Sequence, residues 1–256
     1  MASSFESYAV PHLALMEPGD DLAEPIIEGV AALGRNLASG DIVVIAQKVI
    51  SKIEGRTVDL NQVTPSPRAR DVADQCGKDP REVELILSES VEVLRAVPDI
   101  LIVVHHTGVI LANAGLDRSN VRSEGGQENV LLLPVDPDKS CQEIRARLLD
   151  LSGADVAVII SDSLGRPWRM GTTGIAIGVA GIPALLDLRG DEDLFGRELK
   201  VSQQAIADEL ASAAALLHGQ GADKQPVVII RGDFSWDQPD SGAGSLVRPK
   251  DMDLFR

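Results

Sequence analysis

Seven runs rich in Val and Ile, each bounded by turn formers, punctuate the chain and predict β-strands. They are 41–51 (DIVVIAQKVIS), 99–106 (DILIVVHH), 109–113 (VILAN), 129–135 (NVLLLPV), 154–161 (ADVAVIIS), 175–181 (IAIGVAG) and 225–232 (QPVVIIRG). Helical signals lie between them. Asp79 and Pro80 read as N-cap and first residue of a helix over 81–97. Ser140 and Glu143 have capping-box spacing ahead of 144–151. Ser202 reads as the cap of a helix over 203–218, with Ile206, Leu210, Ala213 and Leu217 on one face and Gly219 as its stop. Asp20 or Asp21, in EPGDDL, reads as the cap of a helix beginning near Leu22.

The runs 99–106 and 109–113 follow each other with no helix between, which breaks the strict alternation of a doubly wound parallel fold. The pattern therefore predicts an α+β architecture, with mixed sheets and helices. No internal repeat is found, and the polar stretch 114–128 reads as a functional or mobile loop rather than a linker. The expectation is one module over residues 1–256, with room for two lobes whose boundary the pattern does not set.

At 256 residues and 44% hydrophobic content the chain can bury a substantial core. Its formal charge of -15 argues against nucleic acid or an anionic membrane as partner. An anionic ligand must then meet a local cationic patch or a metal. Cys76 and Cys141 fit no paired metal or redox spacing and read as ordinary thiols. The N-terminus lacks a basic and then apolar leader pattern, and the longest weakly polar stretch, 172–188, is broken by Gly174, Gly178, Gly181 and Pro183. A soluble cytoplasmic protein is the expectation. No P-loop, dinucleotide fingerprint, zincin or nucleophile-elbow motif occurs. The RGD triplets at 189–191 and 231–233 read as coincidences.

The chemistry concentrates in a few segments. SDSLGRPWRMG follows the apolar run 154–161, so Asp162 is expected at the carboxyl end of a strand, where ligands of α/β proteins commonly sit. A carboxylate flanked by Ser161 and Ser163 suits a hard divalent cation, and Arg166 and Arg169 suit phosphate or carboxylate oxygens. Trp168 reads as a stacking surface or a packing anchor. LANAGLDRSN offers Asp117 as a second oxygen ligand, or an Asx-rich turn that satisfies its own backbone. In AQKVISKIEGR, Lys48 and Lys52 lie two strand repeats apart and so share a face, either toward a polyphosphate or toward solvent. The loop LLHGQGADKQP folds over a ligand or simply ends a helix. His105 and His106 read as packing or surface residues.

In this order, AQKVISKIEGR, NAGLDRSN, SDSLGRPWRMG, DEDLFGREL, ADELASAA and PVVIIRG resemble the coenzyme F420-0:L-glutamate ligase family, the gamma-glutamyl ligases of deazaflavin cofactor biosynthesis. The likeness runs from EPGDDL to the DLFR terminus. It implies a two-lobed mixed α/β subunit in an intertwined homodimer, without the nitroreductase-like C-terminal domain that some relatives carry. It implies GTP as co-substrate, two Mg or Mn ions and potassium. The substrates it implies are coenzyme F420-0 and L-glutamate.

Carried over by motif, Asp117 and Asp162 match the carboxylates of a first metal site, and Ser163 and Gln220 match second-metal positions. Some relatives have Thr at the position of Ser163 and Glu at that of Gln220. Gln47, Lys48, Lys52 and Asn120 match nucleotide contacts, as do the turn Pro11, His12, Leu13 and Ala14 and the loop His218, Gly219, Gln220, Gly221, Ala222, Asp223, Lys224 and Gln225. Asp162, Arg166 and Arg169 are the expected catalytic set. The rival readings are a metal-dependent phosphohydrolase on the same site and a non-catalytic nucleotide- or cofactor-binding protein.

Overall fold

The computed structural model describes residues 3–121, 123, 125–221 and 223–254. In chain order the first elements are β1 (Phe5–Ala9), α1 (Ala23–Ala32), β2 (Ile42–Ala46), α2 (Gln47–Ile53), β3 (Thr57–Asp59), α3 (Pro67–Cys76) and α4 (Pro80–Ser88). Next come β4 (Ser90–Val97), β5 (Ile100–His105), β6 (Ile110–Ala112), β7 (Asn129–Leu131) and α5 (Pro137–Ser152). The last are β8 (Ala157–Arg166), β9 (Arg169–Ala180), β10 (Leu186–Asp187), β11 (Gln203–Gln204), α6 (Ile206–His218) and β12 (Val227–Gly232). The mixed α and β content is the one the apolar pattern predicts. Among the described residues, no helix is long and apolar enough to cross a membrane.

The described residues fall into two compact units. One comprises the described residues up to Leu15 with Asp21–Ala46 and Asp136–Arg248. Its five-stranded sheet has the order β1-β12-β2-β8-β9, in which only β2 and β8 run parallel. Ile42, Val44, Ala157, Ile159, Val228 and Ile230 point to one face and pack with Ile206, Leu210, Ala211 and Ala214 of α6. Helix α5 packs against β8 and β9, and α1 against α5. Strands covered on both faces have no polar side to present, which is why β2 and the buried first parts of β8 and β12, 157–160 and 227–230, read as continuous rather than alternating apolar runs.

The other unit comprises Met16–Asp20, Gln47–Val135 and the described residues from Pro249 onward. It holds the β4-β5-β6 antiparallel sheet, the β3-β7 pair and helices α2, α3 and α4. Ala69, Ala73, Cys76, Val83, Ile86, Leu101, Val103 and Ala114 form its core.

Several expected boundaries move, each for a local reason. The strand expected over 41–51 stops at Ala46, and Gln47–Ile53 is helical. Pairing of β2 stops on both sides there: Ala46↔Ser161 is the last rung with β8, and the β12 ladder begins at Val227, opposite Ile45. The helix expected over 81–97 ends at Ser88, because the β-branched alternation of Ser90–Val97 pairs with β5 instead.

Helix α5 starts before Ser140: Asp136 accepts from the Lys139 N–H at 3.1 Å, and Pro137 occupies the first turn. Ser202 caps nothing, since Gln203 and Gln204 pair with Asp187 and Leu186 before α6 begins. Asp79 and Gly219 do cap as expected, but the N-cap of α1 is Leu22, which makes no side-chain cap bond, and Asp21 just before it accepts from the Ala23 N–H at 2.8 Å. Both cysteines are buried free thiols, and burial pushes the Cys141 thiol far up.

Candidate functional site

The candidate residues gather in two places, one in each unit. In the sheet unit, the strand expected to end at Ser161 continues to Arg166. It turns through Pro167 and Trp168, whose φ of 57° is left-handed, and returns as β9. Asp162 therefore sits inside a hairpin, opposite Ile175. The expectation of a strand end survives in another form: pairing of β8 with β2 stops at Ser161, so Asp162 is the first residue beyond the carboxyl end of the parallel pair. From that point the strand pairs with β9 on one side.

Ser163 Oγ accepts from the Gln220 side-chain amide at 3.0 Å, so the loop after α6 reaches the hairpin through the two residues matched to a second metal position. Arg166 and Arg169 face each other at the hairpin end. Arg166 is half-buried, and its Nη1 has no hydrogen-bond partner among the described residues, while Arg169 is exposed. A guanidinium with a buried donor left over is equipped to take an anion's oxygen.

Asp208, in the first turn of α6, was not singled out by sequence. Its Oδ1 accepts from the Ala176 N–H at 2.9 Å and fixes β9 behind Asp162, and burial raises its pKa. An acid in a first helical turn looks like ordinary capping, so the sequence offered no signal for this tie. Gly174, opposite Ser163, lets α6 close on β9, because a Cβ there would collide with the Ala211 carbonyl. Ser212 donates to the Gly174 carbonyl at 2.7 Å.

The loop His218–Gln225 opens with Gly219 at φ 70°, against which the Asp223 carboxylate packs too closely for any side chain. Asp223 also accepts from the Gly221 N–H at 3.2 Å. Gln220, Gly221, Asp223, Lys224 and Gln225 are exposed, while Ala222 lies outside the described residues. His218 is half-buried with Nε2 3.4 Å from the Val44 carbonyl, and burial lowers its pKa.

A lowered histidine pKa means the unfolded chain binds a proton that the folded chain refuses. Stability is then complete above the ordinary value of about 6.5 and declines as pH falls below it. Replacement of His218 by Gln is expected to flatten that part of the acid limb, read as urea midpoints between pH 7 and 5.

The turn at Pro11–Ala14 follows the last β1 ladder contact, Val10 N–H to Val227 O at 2.9 Å. His12 adopts φ 63°; His12 and Ala14 are exposed, and Pro11 and Leu13 are partly covered.

In the second unit, α2 carries Gln47, Lys48 and Lys52. The lysines share a face as expected, but as helical neighbours four apart rather than as strand repeats. Lys48 Nζ lies 2.7 Å from Asp117 Oδ2 and donates to Ser119 Oγ at 2.6 Å. Lys52 Nζ donates to the Asn120 carbonyl at 3.0 Å. Gln47 is buried and accepts from Ser51 Oγ at 2.9 Å.

Asp117 is anchored twice by backbone, exchanging hydrogen bonds with Leu131 at 3.0 and 2.8 Å, and its Oδ1 accepts from the Ser119 N–H at 2.6 Å. The turn that presents it uses left-handed backbone at Asn113, Ala114, Gly115 and Asn120. Burial works against the Asp117 charge, but Lys48 and Ser119 outweigh it and hold the carboxyl below its ordinary range. Burial, then the neighbouring Lys48 charge, lowers the pKa of Lys52. His105 and His106 stay outside these groups: His105 is buried with Nδ1 3.0 Å from Thr107 Oγ1, and His106 meets the Ser88 carbonyl at 2.8 Å.

Among the described residues, no group of three or more His, Cys, Asp or Glu side chains forms a soft or carboxylate-rich metal cage. The donors present are carboxylate, hydroxyl and amide oxygens, a set that suits Mg or Mn and not a thiolate-seeking metal.

Residues 12–232 match the family described as F420-0:Gamma-glutamyl ligase. A coenzyme F420:L-glutamate ligase of Methanothermobacter thermautotrophicus is 44% identical over 249 residues, covering 96% of this chain and 97% of the relative. That of Methanopyrus kandleri is 44% identical over 250 residues, 96% of each chain. That of Methanocaldococcus jannaschii is 46% identical over 224 residues, 86% of each.

Proposed function

The chain belongs to the F420-0:Gamma-glutamyl ligase family, and from that premise we propose that it joins L-glutamate to the lactyl carboxylate of coenzyme F420-0 at the expense of GTP, with further gamma-linked additions open to it. The observation that supports this most is the cationic helix face of Lys48 and Lys52 in a chain of net charge -15. Two lysines one turn apart repel each other by a few tenths of a kcal/mol, and a phosphate reached by both would offset this.

In the first step an oxygen of the acceptor carboxylate attacks the γ-phosphorus of GTP. The bond to the β-phosphate oxygen breaks, and an acyl phosphate and GDP result. In the second step the glutamate amine, having lost a proton, attacks the acyl carbon. Phosphate departs with the former carboxylate oxygen, leaving an amide. Both steps bring anions together, so charge neutralisation and alignment dominate the barrier.

Lys48 and Lys52 hold phosphate oxygens, with Gln47, Asn120, the Pro11–Ala14 turn and the His218–Gln225 loop around the nucleotide. Arg166 and Arg169 hold the carboxylate-bearing partners. Asp117, Asp162, Ser163 and Gln220 would supply oxygens for Mg or Mn, two ions in all, with potassium assisting. When bound, such ions withdraw charge from phosphate oxygens.

The exposed apolar side chains Trp168, Met170, Leu194 and Phe195, at 82%, 97%, 97% and 93% exposure, support a homodimer that covers them. The reaction is assigned to the cytoplasm.

Isotope transfer tests the acyl phosphate. With the acceptor carboxylate labelled with oxygen-18, the released phosphate is expected to carry one label. Unlabelled phosphate would mean that water attacks GTP, as in the hydrolase reading.

A further inference from the structure

Both oxygens of the Asp117 carboxylate are engaged from within the chain. Oδ1 takes the Ser119 N–H at 2.6 Å, and Oδ2 takes the Lys48 ammonium at 2.7 Å. The ammonium is itself steadied by Ser119 Oγ at 2.6 Å. Lys48 thus bridges two members of one turn, and Lys52 binds a third at the Asn120 carbonyl, 3.0 Å away. The pair is not sealed: the Lys48 and Asp117 side chains retain 30% and 32% of their accessibility, so the bridge can open without unfolding its surroundings.

An oxygen that carries an ammonium cannot bind a divalent ion through the same lone pairs, and two cations on one carboxylate repel each other. An anionic phosphate is the ligand class that can draw the lysine off, because it replaces the lost ion pair with another.

We propose that Lys48 is an internal counter-cation that closes Asp117 to divalent metal until a nucleotide phosphate takes the ammonium, so that metal and nucleotide binding each promote the other. This rests on the reading that Asp117 is a metal ligand. Because linkage is reciprocal, the factor by which phosphate engagement of Lys48 tightens metal binding equals the factor by which metal tightens nucleotide binding. The helix that presents both lysines makes the exchange local: α2 need only turn one flexible side chain. Lys48 is therefore a residue that sets the order of binding as well as a contact to phosphate.

The test uses Mn2+ alone, with no nucleotide, and reads free Mn2+ by electron paramagnetic resonance against the intact protein, Lys48→Met and Lys48→Gln, with folding checked by circular dichroism. Removing the ammonium is expected to tighten Mn2+ binding about tenfold, within the usual range of coupling between linked sites. Adding Asp117→Asn to either variant is expected to abolish the gain. Equal or weaker Mn2+ binding in both lysine variants, with Asp117→Asn still weakening it, would overturn the counter-cation while leaving Asp117 as a ligand. Mn2+ binding indifferent to Asp117→Asn in every background would instead overturn the reading beneath it.

Discussion

Asp162→Asn is expected to lower turnover by about 10²–10³ while leaving the fold intact, the scale on which loss of one preorganised charge-stabilising group is felt. The side chain keeps its size and loses its charge. It stands one residue beyond the last β2–β8 rung, and its backbone remains paired with Ile175 on β9. It is not a member of the buried apolar cluster to which Ile159 and Ala176 belong. Steady-state kinetics with circular dichroism on the same preparation checks this. Near-normal turnover would remove Asp162 from the site, whereas lost structure would make it a packing residue.

The second large effect concerns stability. Asp41 is 1% exposed, and its carboxylate accepts from Arg231 Nε at 2.7 Å and Nη2 at 2.6 Å and from the Ala38 N–H at 2.9 Å. Arg231 also donates to the Asn36 carbonyl at 2.8 Å, and its bond to Asp41 raises its pKa. Arg231→Met leaves a charge stranded at the edge of the sheet core and is expected to cost about 3–5 kcal/mol, read from urea unfolding. Adding Asp41→Asn should recover much of the loss, because the cost lies in the uncompensated charge rather than in the missing contact. A loss below about 1 kcal/mol would mean the pair behaves as a surface bridge. This pairing also shows why the RGD at 231–233 is no adhesion motif: its arginine is spent inside the fold.

What was legible in the sequence follows from which forces are local. The sheet strands announced themselves because residues buried on both faces must be apolar at every position, as in 42–45 and 227–230. Caps with a proline behind them were legible at Asp79, where a side-chain oxygen and the Arg81 N–H that donates to it lie within one turn. Boundaries fixed by distant partners were not. The switch from strand to helix at Gln47 depends on where β8 parts from β2, more than 100 residues away in the chain, and the helix-to-strand switch after Ser88 depends on β5. Strand β1 escaped notice because FESYA has a half-exposed edge and little apolar signal, and α3 because its apolar face is built from Ala69, Ala73 and Cys76.

The site divides in the same way. Single residues such as Asp117 and Asp162 were legible from their motifs, and the pairing of Lys48 and Lys52 held because i,i+4 on a helix and i,i+4 on a strand both bring side chains to one face. The Lys48–Asp117 bridge spans 69 positions and the Ser163–Gln220 contact 57, and no local pattern encodes either. Asp208 illustrates the remainder, a buried tie that sequence cannot tell from a helix cap.

The central claim is that this chain forms an amide between a deazaflavin-bound carboxylate and glutamate, driven by GTP. The measurement that tests it most directly mixes the protein with F420-0, GTP, L-glutamate and Mn2+, omits each in turn, and follows GDP release together with product mass. GDP release that requires both acceptor and glutamate, with the acceptor gaining mass in glutamyl steps, is the predicted result. GDP release indifferent to glutamate, or glutamate-dependent release with no mass gained by the acceptor, would contradict it.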